Sequence, residues 1–176
     1  MLNPWRISNI KTMVTYTDVI KYFGVHLFDE GFQSFLTITF SDLSDYDIFN
    51  GYMISGETCV ELGFTNNDAI YDDDENIVFD KGNPFFSHFN IFPKSKIIIT
   101  DLPFAVEFAD TREIVLMKAG SPTQTKKGHL DFLNKSFLVD NYKVNGIVVS
   151  FDYNPNDETI NHIEIRDNNL VHHLKL

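Results

Sequence analysis

The chain is short of the residues on which several kinds of chemistry depend. Cys59 is the only cysteine among 176 residues, which excludes an internal disulfide and a cysteine-based zinc site. No apolar run approaches the ~20 residues that a bilayer-spanning helix requires. The N-terminal stretch MLNPWRISNI lacks the apolar core of a signal peptide, so a soluble, cytoplasmic protein is expected. No internal repeat, Gly/Ser linker or proline-rich segment divides the sequence, and residues 1–176 are read as one domain. Alanine occurs only four times, against 17 Ile and 12 Val, and this leans the chain toward strands. What it has in quantity is aromatic and aliphatic bulk. The 17 Phe and 7 Tyr supply a core large enough to need no covalent staple.

Cations are also scarce, and unevenly so. Lys and Arg number 14 against 25 Asp and Glu, giving a net charge of −11. Clustered cations drive binding to phosphates and to anionic lipids, so neither a general nucleic-acid surface nor a membrane surface is expected. Between Lys21 and Lys81 there is no Lys or Arg at all, while that stretch holds 13 acids. The rest of the chain carries 14 bases and 12 acids. Acidic loops commonly do no more than keep a protein soluble. A field this concentrated can also steer and hold a cationic partner. Tyr46, Phe49, Tyr52 and Tyr71 are interleaved with the carboxylates, a composition that suits an interface although each ring could equally pack in the core. The candidate partner-binding residues are therefore Asp42, Asp45, Tyr46, Asp47, Asp68, Tyr71, Asp72, Asp73, Asp74, Glu75 and Asp80.

Motifs for metals and catalysis fall short. Asp72, Asp74 and Asn76 match the first ligands of an EF-hand loop, but Ile77 stands where glycine is needed and Asn83 where the bidentate glutamate is needed. His172 and His173 are adjacent and would point to opposite faces of a strand. His162 and Glu164 share a face without an evident third ligand. No G-x-S-x-G elbow, Walker loop or dinucleotide fingerprint is present, and the neighbours Ser87 and His88 do not by themselves define triad geometry. Neither a metal nor a cofactor is expected.

Periodicity predicts a short helix in MVTYTDVIKYFG, with Met13, Tyr16, Ile20 and Phe23 on one face, a Thr15–Asp18 capping box and Gly24 at its end. Strands are predicted for FLTITF and CVELGF, where Leu36, Ile38, Phe40 and Val60, Leu62, Phe64 alternate with other residues. NPFFSHFNIFP reads as a second helix opened by Asn83 and Pro84. KIIIT reads as a buried strand, FAVEF and EIVLM as a hairpin, and HLDFLNKSF as a short helix. GIVVSFDY and INHIEI form a hairpin, and LVHHLKL adds a final strand. The expected fold is α+β: one mainly antiparallel sheet with two to four short helices packed on it.

In size, acidity, richness in Phe, Ile and Asn, and lack of catalytic motifs, the chain resembles bacterial immunity proteins of polymorphic toxin and contact-dependent growth inhibition systems. The resemblance implies a cytoplasmic, non-enzymatic protein that binds a basic toxin domain, often a nuclease, and occludes its active site. Asp68, Asp72, Asp73, Asp74 and Glu75 would then pair with the Lys, Arg and His side chains that such a nuclease presents to phosphates. The alternative from another class is a β-rich small-molecule binder or a hydrolase using a pair of carboxylates, with a pocket lined by Phe and Tyr.

Overall fold

The computed structural model describes residues 12–40, 42–47, 50–66, 70–71, 77–78, 83–170 and 176. Its strands are β1 (Tyr52–Ser55), β2 (Val60–Asn66), β3 (Ile70–Tyr71), β4 (Ile77–Val78), β5 (Pro84–Ile91), β6 (Gln124–Leu130), β7 (Lys135–Val144), β8 (Ile147–Tyr153) and β9 (Ile160–Asp167). Seven of them form one antiparallel sheet in the order β1-β2-β5-β9-β8-β7-β6, and β3 and β4 pair separately. Three short helices, α1 (Tyr16–Ile20), α2 (Glu30–Thr39) and α3 (Arg112–Ala119), complete an α+β fold together with three 3-10 turns. The expected architecture is present.

One face of the sheet holds the core. Val60, Leu62 and Phe64 of β2 lie beside Phe86, Phe89 and Ile91 of β5, then Ile163 and Ile165 of β9, and Val149, Phe151 and Tyr153 of β8. Val19 of α1, Phe32 and Leu36 of α2, and Val115 of α3 join the same cluster. Rings dominate it. Phe32 packs 5.2 Å from Phe86 and 6.4 Å from Phe64, whereas Phe104 and Tyr142 close on Phe151 at the other end. Edge-to-face and offset rings add stabilisation beyond the area they remove from water.

Several elements follow the sequence. In α1 the Thr15 hydroxyl accepts from the Asp18 N–H while the Asp18 carboxylate accepts from the Thr15 N–H, the predicted reciprocal cap. The helix is otherwise shorter than predicted: α1 stops at Ile20 with Lys21 as its C-cap, Gly24 closes only the turn that follows at φ +79°, and Val19 is buried while Met13 is 63% exposed. β2 buries Val60, Leu62 and Phe64 as its alternation predicts, and β8 and β9 form the expected hairpin.

Other segments differ from their predicted states. FLTITF belongs to a helix, because Asp29 caps α2 by accepting from the Phe32 N–H at 2.9 Å. Leu36 and Phe40, two apart from Ile38 in the strand reading, are also four apart from each other; burial falls on them and leaves Ile38 63% exposed. NPFFSHFNIFP is strand β5. Register shifts by one residue opposite Gly63 and Phe64, so Phe86 and Phe89 come to lie on one face despite their three-residue spacing. A bulge thus imitates a helical period. Pro84 sits at the first strand position, where a missing N–H is tolerated.

KIIIT is not a strand: a 3-10 turn covers Pro93–Ile97, and only Ile99 bridges a neighbour, Val14. Ser95 sets this turn by accepting from the Phe92 N–H and donating to the Cys59 carbonyl. FAVEF and EIVLM do not pair. The first contributes a 3-10 turn at Pro103–Ala105 and the second is α3, held down by Val115 and by Lys118, which donates to Asp110 and to the Ala105 carbonyl. HLDFLNKSF is the tip of the β6–β7 hairpin, with one 3-10 turn at Asp131–Leu133. Of the predicted last strand LVHHLKL, residues 171–175 lie outside the described residues.

Candidate functional site: two grooves at the acidic edge of the sheet

β1 is the edge strand of the acidic half, and its outer side is edged by residues 42–47. Leu43 bridges Ser55 and Asp47 bridges Tyr52. Ser44 fixes the register by donating its N–H to the Ile54 carbonyl and accepting the Ile54 N–H on its hydroxyl. Asp42 accepts from the Ser55 hydroxyl and from the Glu57 N–H, both at 2.6 Å, so its carboxylate ties down the turn between β1 and β2. Ser55 in turn bonds Thr58 inside that turn.

Two concave surfaces lie on either side of Ile54 and Glu61. One, of about 520 Å³, is lined by Ser44, Asp45, Asp47, Asn50, Tyr52, Ile54 and Glu61. The other, of about 480 Å³, is lined by Ile54, Ser55, Gly56, Cys59, Glu61, Phe92, Pro93 and Lys94. The first is acidic, the second mostly apolar. Ile54 and Glu61 belong to both.

Of the predicted site residues, the fold brings Asp45 and Asp47 into the acidic groove. Both are exposed, and Asp47 also accepts from the N–H and the side-chain amide of Asn50, holding the turn at the groove's end. Tyr46 packs edge-on against Phe64 at 5.4 Å, so its ring anchors the segment to the core. Burial, and next the Asp47 carboxylate, raises its phenol above the ordinary range. Tyr71 lies in β3, paired with Ile77. Asp68, Asp72, Asp73, Asp74, Glu75 and Asp80 lie outside the described residues.

Sequence reasoning missed the surface that backs these grooves. On the sheet face opposite the core, cross-strand register lines up Ile54, Glu61, Asn90, Glu164, Ser150, Asn141 and Gln124, one residue from each of the seven strands. Hydrogen bonds run along this row. Asn90 donates to Glu61 at 3.1 Å, Arg166 donates to both Glu164 and Ser150 at 2.8 Å, and Ser150 donates to Asn141 at 2.7 Å. Beside it stands a second row, Tyr52–Gly63–His88–Arg166. His88 sits over Gly63 so closely that a Cβ there would come within 2.1 Å of the ring. Its Nε2 lies 3.0 Å from the Tyr52 hydroxyl and its Nδ1 2.9 Å from the Ser87 hydroxyl. Burial raises the Tyr52 phenol, with Glu164 and Glu61 adding to the effect.

The network has a structural chemistry. Ser87 is fully buried, so its contact with His88 presents no nucleophile to a substrate. Glu61 and Glu164, one on each side of Asn90, have partners within the sheet. His162 pairs with Asp152 at 3.1 Å and stacks on Phe92. Burial would raise the Asp152 carboxyl, but bonds from His162 and Asn161 outweigh it and hold the group below its ordinary range. Among the described residues no three His, Cys, Asp or Glu side chains come together as a metal site.

No protein-family model and no curated protein sequence matches the chain. Among solved structures it is similar to a DUF4309 family protein, YjgB, from Bacillus subtilis. The two are 13% identical with a TM-score of 0.37, over 72% of this chain and 63% of that one. A likeness at that level says nothing about the site. No helix of the described residues is long and apolar enough to cross a membrane.

Proposed function

We propose that the chain is a binding protein that captures a cationic segment of a partner protein along the β1 edge, and that it serves as an immunity-type inhibitor of a basic toxin domain, such as a nuclease. The observation that carries this reading is the joined pair of grooves. An apolar recess, with Lys94 the one cation of its lining, beside an acidic one whose lining falls wholly within the 59-residue stretch without a cation, suits a segment in which Lys or Arg neighbours an apolar side chain. Asp45 and Asp47 are the exposed charges of the acidic groove, Tyr52 and Ile54 offer contact area, and the hydrogen-bonded rows behind support β1. Preorganisation of this kind reduces the entropy lost on binding.

The test is direct. The purified chain is titrated with the protein encoded by the neighbouring reading frame, and association and dissociation rates are measured. Asp45→Asn is expected to slow association several-fold at low salt, with a smaller effect at high salt. Ile54→Ser is expected to speed dissociation by about ten-fold. Failure of the neighbouring protein to bind, or indifference to both substitutions, refutes the reading.

A further inference from the structure

The far end of the sheet carries a different surface. All seven residues of β6 are exposed, on both faces of the strand, and residues 131–136 of the turn and early β7 are exposed as well. Beside β7, which half-buries Phe137 and Leu138, β6 is a strand with neither face packed, an arrangement marginal in water by itself. Here it is stiffened by Phe137, whose ring lies over its cross-strand partner Gly128, where a Cβ would stand 2.9 Å away. Its tip is apolar: Phe132 is 82% exposed, Leu133 58% and Leu130 37%. Lys126, Lys127 and Lys135 flank that tip, against the single acid Asp131. Exposed apolar clusters rimmed by charge mark surfaces that another molecule covers.

We propose that this ribbon is a docking arm for a second copy of the chain, its apolar tip seating in the groove lined by Ile54, Cys59, Phe92 and Pro93 and its lysines meeting Asp45, Asp47 and Glu61. Complementarity in two properties supports this occupant. The arm is apolar at its end and cationic along its sides, and the paired grooves are apolar in one half, where Lys94 is the one cation of the lining, and acidic in the other. The two surfaces sit at opposite edges of one sheet, β6 and β1. A twofold axis between two copies therefore gives each groove the other copy's arm, and the assembly closes as a dimer. Pairing two β6 edges with each other is disfavoured, because it sets Lys126 and Lys127 of one copy against those of the other.

The proposal shares its groove with the partner site above but needs no toxin. A dimer without toxin capture sinks the toxin reading alone, and toxin capture by a strict monomer sinks the dimer alone. Sedimentation velocity of the full chain over a concentration series is the experiment. The wild type is expected to form a dimer, and Phe132→Ser/Leu133→Ser and Asp45→Lys are each expected to weaken it by about ten-fold or more. All three side chains are exposed, so the thermal transition should stay in place, which circular dichroism checks. Mixing the two variants is expected to restore heterodimers, since one intact arm and one intact groove remain. A monomeric wild type, or a dimer that both variants leave unchanged, overturns the proposal. So does a monomer whose arm variant loses only co-sedimentation with phosphatidylglycerol vesicles, which would turn the arm toward a membrane.

Discussion

Tyr153 shows how unevenly single side chains serve this core. Its ring is a central part of the aromatic stack with Phe151, but its buried hydroxyl makes no hydrogen bond of ordinary geometry and has only a weak interaction with the Asp140 carboxylate. Burial and the nearby Asp140 carboxylate push the phenol far above its ordinary range. Asp140 itself is fully buried and fully engaged: Arg112 donates to both its oxygens and Thr125 donates to one of them. An unsatisfied buried polar atom costs about 1–3 kcal/mol. Tyr153→Phe removes that atom and keeps the ring, so it should raise the free energy of unfolding by about 1 kcal/mol, read from the urea midpoint at constant slope. A loss of stability would mean that the hydroxyl has a partner in solution. The Asp140–Arg112 pair was not legible in the sequence, because the two residues stand on different elements 28 positions apart and only the docking of α3 on β7 joins them.

At the scale of elements, the helix α2 and the strand β5 carry the lesson about local signals. A run of β-branched and aromatic residues in FLTITF outweighs the helix in propensity, yet one carboxylate at Asp29 and a buried stripe of Phe32, Leu36 and Phe40 decide for it. The hydroxyls that would disfavour a helix are absorbed: Ser34 and Thr37 donate to carbonyls one turn back. Asp29→Ala should therefore lower stability by about 1 kcal/mol, seen as an earlier urea midpoint with helix content reduced in parallel. In β5 the misleading period comes from a bulge. A bulge is set by pairing with β2 and by the room that Gly63 leaves for His88, and a strand read alone carries neither. The hairpin of β8 and β9 was legible because alternation and turn residues agree there.

At the scale of the whole molecule, charge is segregated along the sheet. The acid-rich half supplies β1 and β2 at one edge, and the lysine-rich ribbon β6–β7 lies at the other. The buried tyrosines give the fold its alkaline limit. Burial, then Asp140, pushes the Tyr142 phenol from 10.0 up to about 12. The unfolded chain loses this proton near pH 10 while the folded chain keeps it. Stability from this group is therefore intact below pH 10 and declines as pH rises toward about 12. Equilibrium unfolding at stepped pH should show that decline. Tyr142→Phe should reduce its slope, although it also removes the bond to the Gly120 carbonyl. An unchanged slope would show that Tyr142 keeps an ordinary value.

Composition and short-range pattern were enough for the fold class, the N-terminal cap of α1, the core stripe of β2, the terminal hairpin and the stretch that holds no cation. These are written in composition, in short-range spacing and in side chain to backbone bonds three residues apart. Tertiary structure alone decided that the Asp42 and Asp47 carboxylates hold loops, that Asp45 and Asp47 line an open groove, and that seven strands align one row of mostly polar side chains behind it. Those outcomes depend on strand order and register, which bring together residues tens of positions apart. Register is fixed by the burial of a whole face at once, not by any segment in isolation.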